Sequence, residues 1–224
     1  VQINTTDNSS FKRVVTDSLK LLPAITNAGY TGYSSIMRGF NAIFLKPNST
    51  VASFNQTFAP FFNLTQLPGI QGGITAYPST WNEYIKSFLQ DPNIGTNIQD
   101  TSRLLTADVI EEKAEDLAEL IIGNNEGAGF NFSKSQILDR HPLLPCSYIL
   151  PFLVGKVNNH ERDNTAVHDI WKRSHALMSL SVDWSDTASD AEKQEKRREM
   201  VELSERFTEI VGSEGGTYVN EANP

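Results

Sequence analysis

The chain has a single cysteine, Cys146, among 224 residues. That count excludes an internal disulfide and a cysteine-rich zinc site. Cys146 sits in Leu143-Leu144-Pro145-Cys146-Ser147-Tyr148-Ile149-Leu150 with no basic neighbour to lower its pKa, so it reads as a buried apolar thiol and not as a nucleophile. Positive charge is scarce as well. Lys and Arg number 19 against 27 Asp and Glu, a formal net charge of −8, which argues against nucleic acid or an anionic membrane as partner. No apolar run reaches the roughly 18 residues of a transmembrane helix. No basic segment followed by an apolar stretch opens the chain, so no signal peptide is read. The chain reads as beginning inside a longer protein, so that absence says little about destination.

Catalytic signatures are sparse too. G-x-S-x-G is missing, and no Ser/His/Asp constellation can be argued from position. The one glycine cluster, Gly69-Ile70-Gln71-Gly72-Gly73, does not lie between a strand and a long helix, as phosphate cradling requires, and reads as a loop. His168 and His175 are expected on one helix, roughly 10 Å apart by helical rise, too far for one metal. His141 and His160 fall in loops without paired ligands, so no metal site is expected. Trp171, four residues before His175, is expected to pack on that histidine.

What the chain does have is asparagine followed by Ser or Thr. Asn4, Asn8, Asn48, Asn55, Asn63 and Asn131 each satisfy the N-x-[ST] glycosylation pattern. Chance gives roughly two to three matches at this composition. The excess suggests a secreted glycoprotein, with compositional accident explaining some of the sites.

Periodicity supplies a run of elements. Val1–Thr5 reads as a strand. Ser9 or Ser10 caps a helix to about residue 27, with Phe11, Val14, Val15, Leu19, Leu22 and Ile25 on one side. Tyr30–Met37 and Phe40–Leu45 read as a hairpin. Pro47-Asn48-Ser49 opens a helix striped with Val51, Phe54, Phe58 and Phe61 or Phe62. A short strand is expected at Ile74–Tyr77, and Thr80-x-x-Glu83 is a capping box. Gln90–Thr101 reads as a polar loop and Ser102–Leu105 as a strand. Thr106 starts an amphipathic helix that ends at Gly123-Asn124. Ala128–Leu138 and Cys146–Val154 alternate like strands. Asn164 is expected to cap a helix carrying Val167, Ile170, Trp171 and Leu177. Ser189-x-x-Glu192 boxes a final helix with Met200, Leu203, Phe207 and Ile210 inward. Glycines then break it, and Thr217-Tyr218-Val219 supplies strand formers.

Hairpins mixed with single-helix crossovers indicate an α+β fold: one mainly antiparallel sheet with helices on one face, opening with a β-α-β-β-α-β unit. The other face must meet a second domain or a ligand, because a half-apolar sheet is a liability in water.

Several stretches, in order, resemble the substrate-binding domain of FAD-linked oxidases of the berberine-bridge-enzyme type, within the vanillyl-alcohol-oxidase superfamily. They are Leu22-Pro23-Ala24-Ile25-Thr26-Asn27-Ala28-Gly29 with Gly32-Tyr33-Ser34, then Phe44-Leu45-Lys46-Pro47-Asn48-Ser49-Thr50 with Pro60-Phe61. Ile94-Gly95-Thr96-Asn97 with Ser102-Arg103-Leu104-Leu105 follows, and Tyr218-Val219-Asn220-Glu221 completes the series. The variants most like this chain are fungal.

The resemblance implies that residues 1–217 form the substrate-binding domain, and that 218–224 begin the return to an FAD-binding domain of the same protein. The open sheet face would roof the flavin. Hydride would pass from an alcohol, sugar or amine-type small-molecule substrate to the flavin, with oxygen as acceptor. Tyr218 would line the site, and Asn220, on the same strand face, would contact the cofactor. The family's usual base position falls near Pro151, where this chain has no carboxylate. That leaves Tyr218 or Tyr148 for proton transfer, Tyr148 reading equally as a core tyrosine. Glu221 stands where the family often has a second tyrosine, and reads by default as a solvated carboxylate. Tyr30, Tyr33 and Tyr77 are further candidates for the pocket wall, or for core packing. This chain expressed alone is expected to be colourless and inactive. The rival reading is a non-enzymatic secreted glycoprotein domain that binds a ligand or partner through the same open face.

Overall fold

The computed structural model describes residues 1–36, 39–77, 79–88, 97–127, 152–153 and 168–218. In chain order the elements are β1 (Gln2–Thr5), α1 (Asn8–Asn27), β2 (Thr31–Ile36), β3 (Gly39–Leu45), α2 (Val51–Leu64), β4 (Ile70–Gly73), α3 (Trp81–Phe88), β5 (Asn97–Thr106), α4 (Ala107–Gly127), β6 (Phe152–Leu153), α5 (Asp169–Arg173), β7 (Ser174–Trp184) and α6 (Asp190–Val211).

The seven strands form one sheet in the order β4-β1-β3-β2-β6-β7-β5, with every described pairing antiparallel. The α+β expectation holds, and so does the β-α-β-β-α-β opening. Elements β1 to β4 lie in the spatial order 4-1-3-2, so α1 and α2 each cross over one intervening strand. The second half repeats this arrangement with β5, α4, β6, β7 and α6. There the segment after α6 lies along β5, as β4 lies along β1: the Leu104 N–H donates to the Gly216 carbonyl at 2.8 Å. The two halves meet where β2 pairs with β6.

Local chemistry sets the helix ends. Asp7, and not Ser9 or Ser10 as the sequence suggested, caps α1 by accepting from Ser10 N at 2.8 Å. Thr50 caps α2. Ser189 and Glu192 form the expected capping box on α6, and Thr80 and Glu83 make the same reciprocal bonds before α3. The core lies between the sheet and α1, α2, α4 and α6. Phe58 and Phe61 on α2 are buried against Phe40 and Phe44 of β3, each such ring contributing roughly 1.5–3 kcal/mol by burial.

Four expectations need correction. Ser174–Trp184 is a strand, not the continuation of a helix from Asn164. Its residues from Ser174 to Val182 are all buried. Ala176, Met178, Leu180 and Val182 join the main core, while Leu177 packs on the opposite side with Leu104 and Ile170. A strand covered on both faces loses the polar alternation that marks strands in sequence, and Ile170, Trp171 and Leu177 imitate helical spacing. Secondly, β5 begins at Asn97, inside the stretch read as a polar loop, because its ladder with β7 uses backbone groups whatever the side chains. Thirdly, the fourth strand is Ile70–Gly73 rather than Ile74–Tyr77. Gly72 (φ +151°) lets it close on β1, where a Cβ would lie 2.0 Å from the Gln2 carbonyl oxygen. Lastly, residues 215–218 are not a regular strand. The strand expected at Ala128–Leu138, and Cys146–Val154 apart from β6, lie outside the described residues.

Candidate active site

The alternation of β2 and β3 decides what each face of the sheet offers. Ser34, Ile36, Phe40 and Ala42 are buried toward the helices. Tyr33 and Ile43, direct cross-strand partners, point the other way and are 44% and 37% exposed. This helix-free face, clear of α1, α2, α4 and α6 and met only at its far end by the one-turn α5, therefore begins with an aromatic and an aliphatic side chain on adjacent strands. Farther along it, across β7 and β5, lies the cluster of Leu104, Leu177 and Ile170, with Trp171 packed against it.

The segment after α6 is seated at that cluster. Gly212 (φ +88°) ends the helix, and its N–H donates to the Thr208 carbonyl. The chain then meets the outer edge of β5. Besides the Leu104–Gly216 bond, the Ser102 hydroxyl accepts from the Tyr218 N–H at 3.3 Å and bonds the Thr217 hydroxyl at 3.1 Å. Gly216 permits the approach, since a Cβ there would lie 2.5 Å from Ile170 Cγ2 and 3.3 Å from Leu104 Cδ1. The Tyr218 ring meets Trp171 edge to face, with centroids 6.3 Å apart and planes at 90°. Tyr218 remains 38% exposed.

Two polar groups lie on the helix-facing side of β5 and β7. Arg103 of β5 is half-buried and reaches α6. Its guanidinium donates to Thr101 Oγ1, the Ser102 carbonyl, the Ser204 carbonyl and Oγ, and Thr208 Oγ1, and it lies 5.7 Å over the Phe207 ring. Burial pulls its pKa down from the ordinary value, yet an arginine stays charged. His175 is the extra residue of a bulge, where Leu105 pairs with Ala176 and Thr106 with Ser174. A bulge re-aims a side chain, and Nδ1 of His175 is 2.6 Å from the Thr26 hydroxyl on α1. Burial lowers the pKa of His175. His168 instead caps α5, its Nδ1 accepting from Ile170 N. The two histidines thus sit on different elements, and Trp171 packs on Tyr218.

Of the residues singled out in sequence, Tyr218 stands at the edge of the helix-free face. Tyr148, Asn220, Glu221 and Asn131 lie outside the described residues. Tyr30 is a core residue, bonded to Ser49 Oγ at 2.9 Å and packed edge-on to Phe58. Tyr77 is 72% exposed. Asn4, Asn8, Asn48, Asn55 and Asn63 are all exposed, Asn4 alternating with buried Ile3 on β1 and so lying on the helix-free side. Gly69–Gly73 is consumed by the β1–β4 pairing, so a dinucleotide phosphate is not cradled there. Sequence reasoning missed Trp171 and Ser102 as neighbours of Tyr218. Only the long-range pairing of residues 215–218 with β5 reveals them.

No protein-family model matches the chain. Over 231 aligned positions it is 42% identical to an uncharacterized FAD-linked oxidoreductase of Arthroderma benhamiae. The match covers all of this chain and 37% of that protein. Two solved VAO-type flavoproteins from Myceliophthora thermophila C1 share the fold. MtVAO713 has a TM-score of 0.75 at 18% identity, over 99% of this chain and 40% of its own. MtVAO615 has a TM-score of 0.72 at 16% identity, over 99% and 39%. The chain thus spans roughly two fifths of the proteins it matches. It is similar in sequence to one part of an FAD-linked oxidoreductase, and it shares the fold of the matching part of two VAO-type flavoproteins.

Proposed function

We propose that this chain is the substrate-binding portion of a secreted FAD-dependent oxidase, of the berberine-bridge-enzyme type, that oxidises an alcohol, a sugar or an amine. The observation that carries the reading is Tyr218, held at the rim of the helix-free sheet face by β5 and α5. That face, with Tyr33 and Ile43 exposed, suits a flat apolar contact with a cofactor-bearing domain. The phosphates of FAD would be held by the rest of the protein. When bound, FAD supplies a hydride acceptor, and oxygen returns it to the oxidised state. The chain's own contribution is to orient substrate and to move a proton. Tyr218, with Tyr148 as second candidate, relays the proton: its phenol oxygen takes the proton from the substrate's oxygen or nitrogen as its own phenolic proton passes to solvent, while Asn220 contacts the cofactor. Exposure of five sequon asparagines supports secretion through a glycosylating pathway.

The test uses the full-length protein. It is expected to be yellow, to bleach anaerobically with at least one of glucose, benzyl alcohol or benzylamine, and to form hydrogen peroxide in air. Tyr218→Phe is expected to slow bleaching roughly 10²- to 10⁴-fold, the usual worth of a positioned acid or base. A colourless full-length protein, or a yellow and active preparation of residues 1–224 alone, would sink the reading.

A further inference from the structure

We infer that Trp171 and Ser102 are positioning residues for Tyr218. The inference rests on the reading of Tyr218 above as the proton-transferring group. Tyr218 lies seven residues beyond the end of α6, and the described residues between them make no regular strand. A tyrosine on such a segment samples many rotamers unless something fixes both its backbone and its ring, and a misplacement near 1 Å is costly for a reacting group.

Two groups do this from different directions. Ser102 is buried, and its hydroxyl takes the Tyr218 N–H at 3.3 Å while bonding Thr217. This bond sets where the Tyr218 backbone leaves the edge of β5. Trp171 then sets the ring. Its indole lies perpendicular to the phenol at 6.3 Å, a geometry that favours the offset of ring edge and ring face. Trp171 is itself fixed. It belongs to a one-turn helix capped by His168 and packed on Leu104, Ile170 and Leu177, and its neighbour Ile170 touches the position that Gly216 leaves without a Cβ. The Trp171 side chain and the Tyr218 segment therefore share Leu104 and Ile170 as neighbours. Any shift of one is felt by the other.

A double-mutant cycle in the full-length holoenzyme tests this, using Trp171→Leu, Tyr218→Phe and the pair. Anaerobic flavin bleaching is followed with glucose, benzyl alcohol and benzylamine. Trp171→Leu is expected to slow the limiting bleaching rate roughly 2- to 10-fold, the worth of one aromatic contact, with half-saturating substrate little changed. Trp171→Phe is expected to recover part of the rate. In the Tyr218→Phe background the Trp171→Leu effect should vanish. Additive effects, or an unchanged rate in Trp171→Leu, overturn the inference. Fluorotyrosine-labelled protein provides a readout that needs no substrate. The Tyr218 fluorine resonance, assigned by its loss in Tyr218→Phe, is expected to move toward the free-tyrosine position in both Trp171→Leu and Ser102→Ala, and a resonance that stays in place in either overturns the inference. If Tyr218→Phe bleaches at the wild-type rate, the reading of Tyr218 fails and the inference falls with it. If Tyr218→Phe is slow and Trp171→Leu is not, only the positioning role fails.

Discussion

Nδ1 of His175, on a bulge of β7, lies 2.6 Å from the hydroxyl of Thr26 near the end of α1. That hydroxyl is also 3.0 Å from the Leu22 and Pro23 carbonyls. The direction of the Thr26–His175 bond follows the imidazole tautomer. The contact ties the first half of the domain to the strand that carries the second half's core.

Burial holds the pKa of His175 below its ordinary value, and the sign of the linkage follows. The unfolded histidine binds a proton below about pH 6.5, while the folded one resists it. The stability contributed by neutral His175 is therefore fully present above about pH 6.5 and is lost as pH falls toward the lowered folded value. His175→Gln is expected to cost about 1 kcal/mol at pH 7.5 by weakening the Thr26 bond, and to flatten this part of the acid loss. Thermal midpoints of the full-length protein at pH 7.5 and 5.5 measure it. An identical drop in wild type and variant counts against the assignment.

Gly32, in the Gly32-Tyr33-Ser34 stretch that carried the family resemblance, has a physical reason to be glycine. A Cβ there would lie 1.9 Å from the Ile43 carbonyl oxygen and 2.9 Å from its carbon. These are backbone atoms of a paired strand and cannot give way cheaply. Gly32→Ala is expected to cost about 3 kcal/mol or more and to lower the soluble yield. A midpoint within a degree of wild type would contradict this.

Arg103 joins β5 to α6 through donors to Ser204 and Thr208 and through its place over Phe207. Its removal takes these donors from Ser204 and Thr208 and leaves a gap under the helix. Arg103→Ala is expected to cost about 2 kcal/mol, or roughly 4–8 °C in midpoint for a domain of this size. Arg103→Lys should recover little, because an ammonium cannot span the same fork. Full recovery by lysine would reduce the role to charge alone.

Peptide mass spectrometry of protein secreted from a eukaryotic host tests the sequons. Asn55 and Asn63, exposed on α2, are expected to carry glycan. Asn4 faces the helix-free side and, on the proposal that a cofactor domain covers that side, is expected to be unmodified in the full-length protein. Unmodified asparagines throughout would remove the support for secretion, and glycan on Asn4 would argue that its end of the sheet is uncovered.

Much of the first half was legible in the chain. The stripe from Phe11 to Ile25, the Phe58 and Phe61 helix, and the Ser189/Glu192 box are local patterns, and each depends on neighbours within one or two turns. Tyr218 was singled out only through the motif around it. β7 was not legible, because both of its faces are covered and its burial depends on α1, α4 and α6 on one side and Ile170 on the other. Neither was the pairing of Gly72 with Ile3, which turned an apparent loop into a strand.

By itself the sequence determined α1, α2, α4 and α6, the capping boxes at Thr80 and Ser189, the α+β class and the family resemblance, because periodicity, capping and ordered motifs are properties of short stretches. Tertiary structure alone decided which strand lies beside which, that His175 meets Thr26, and that Trp171 and Ser102 meet Tyr218. Those contacts join residues far apart in the chain, and backbone pairing along a sheet carries no local signature of its partner.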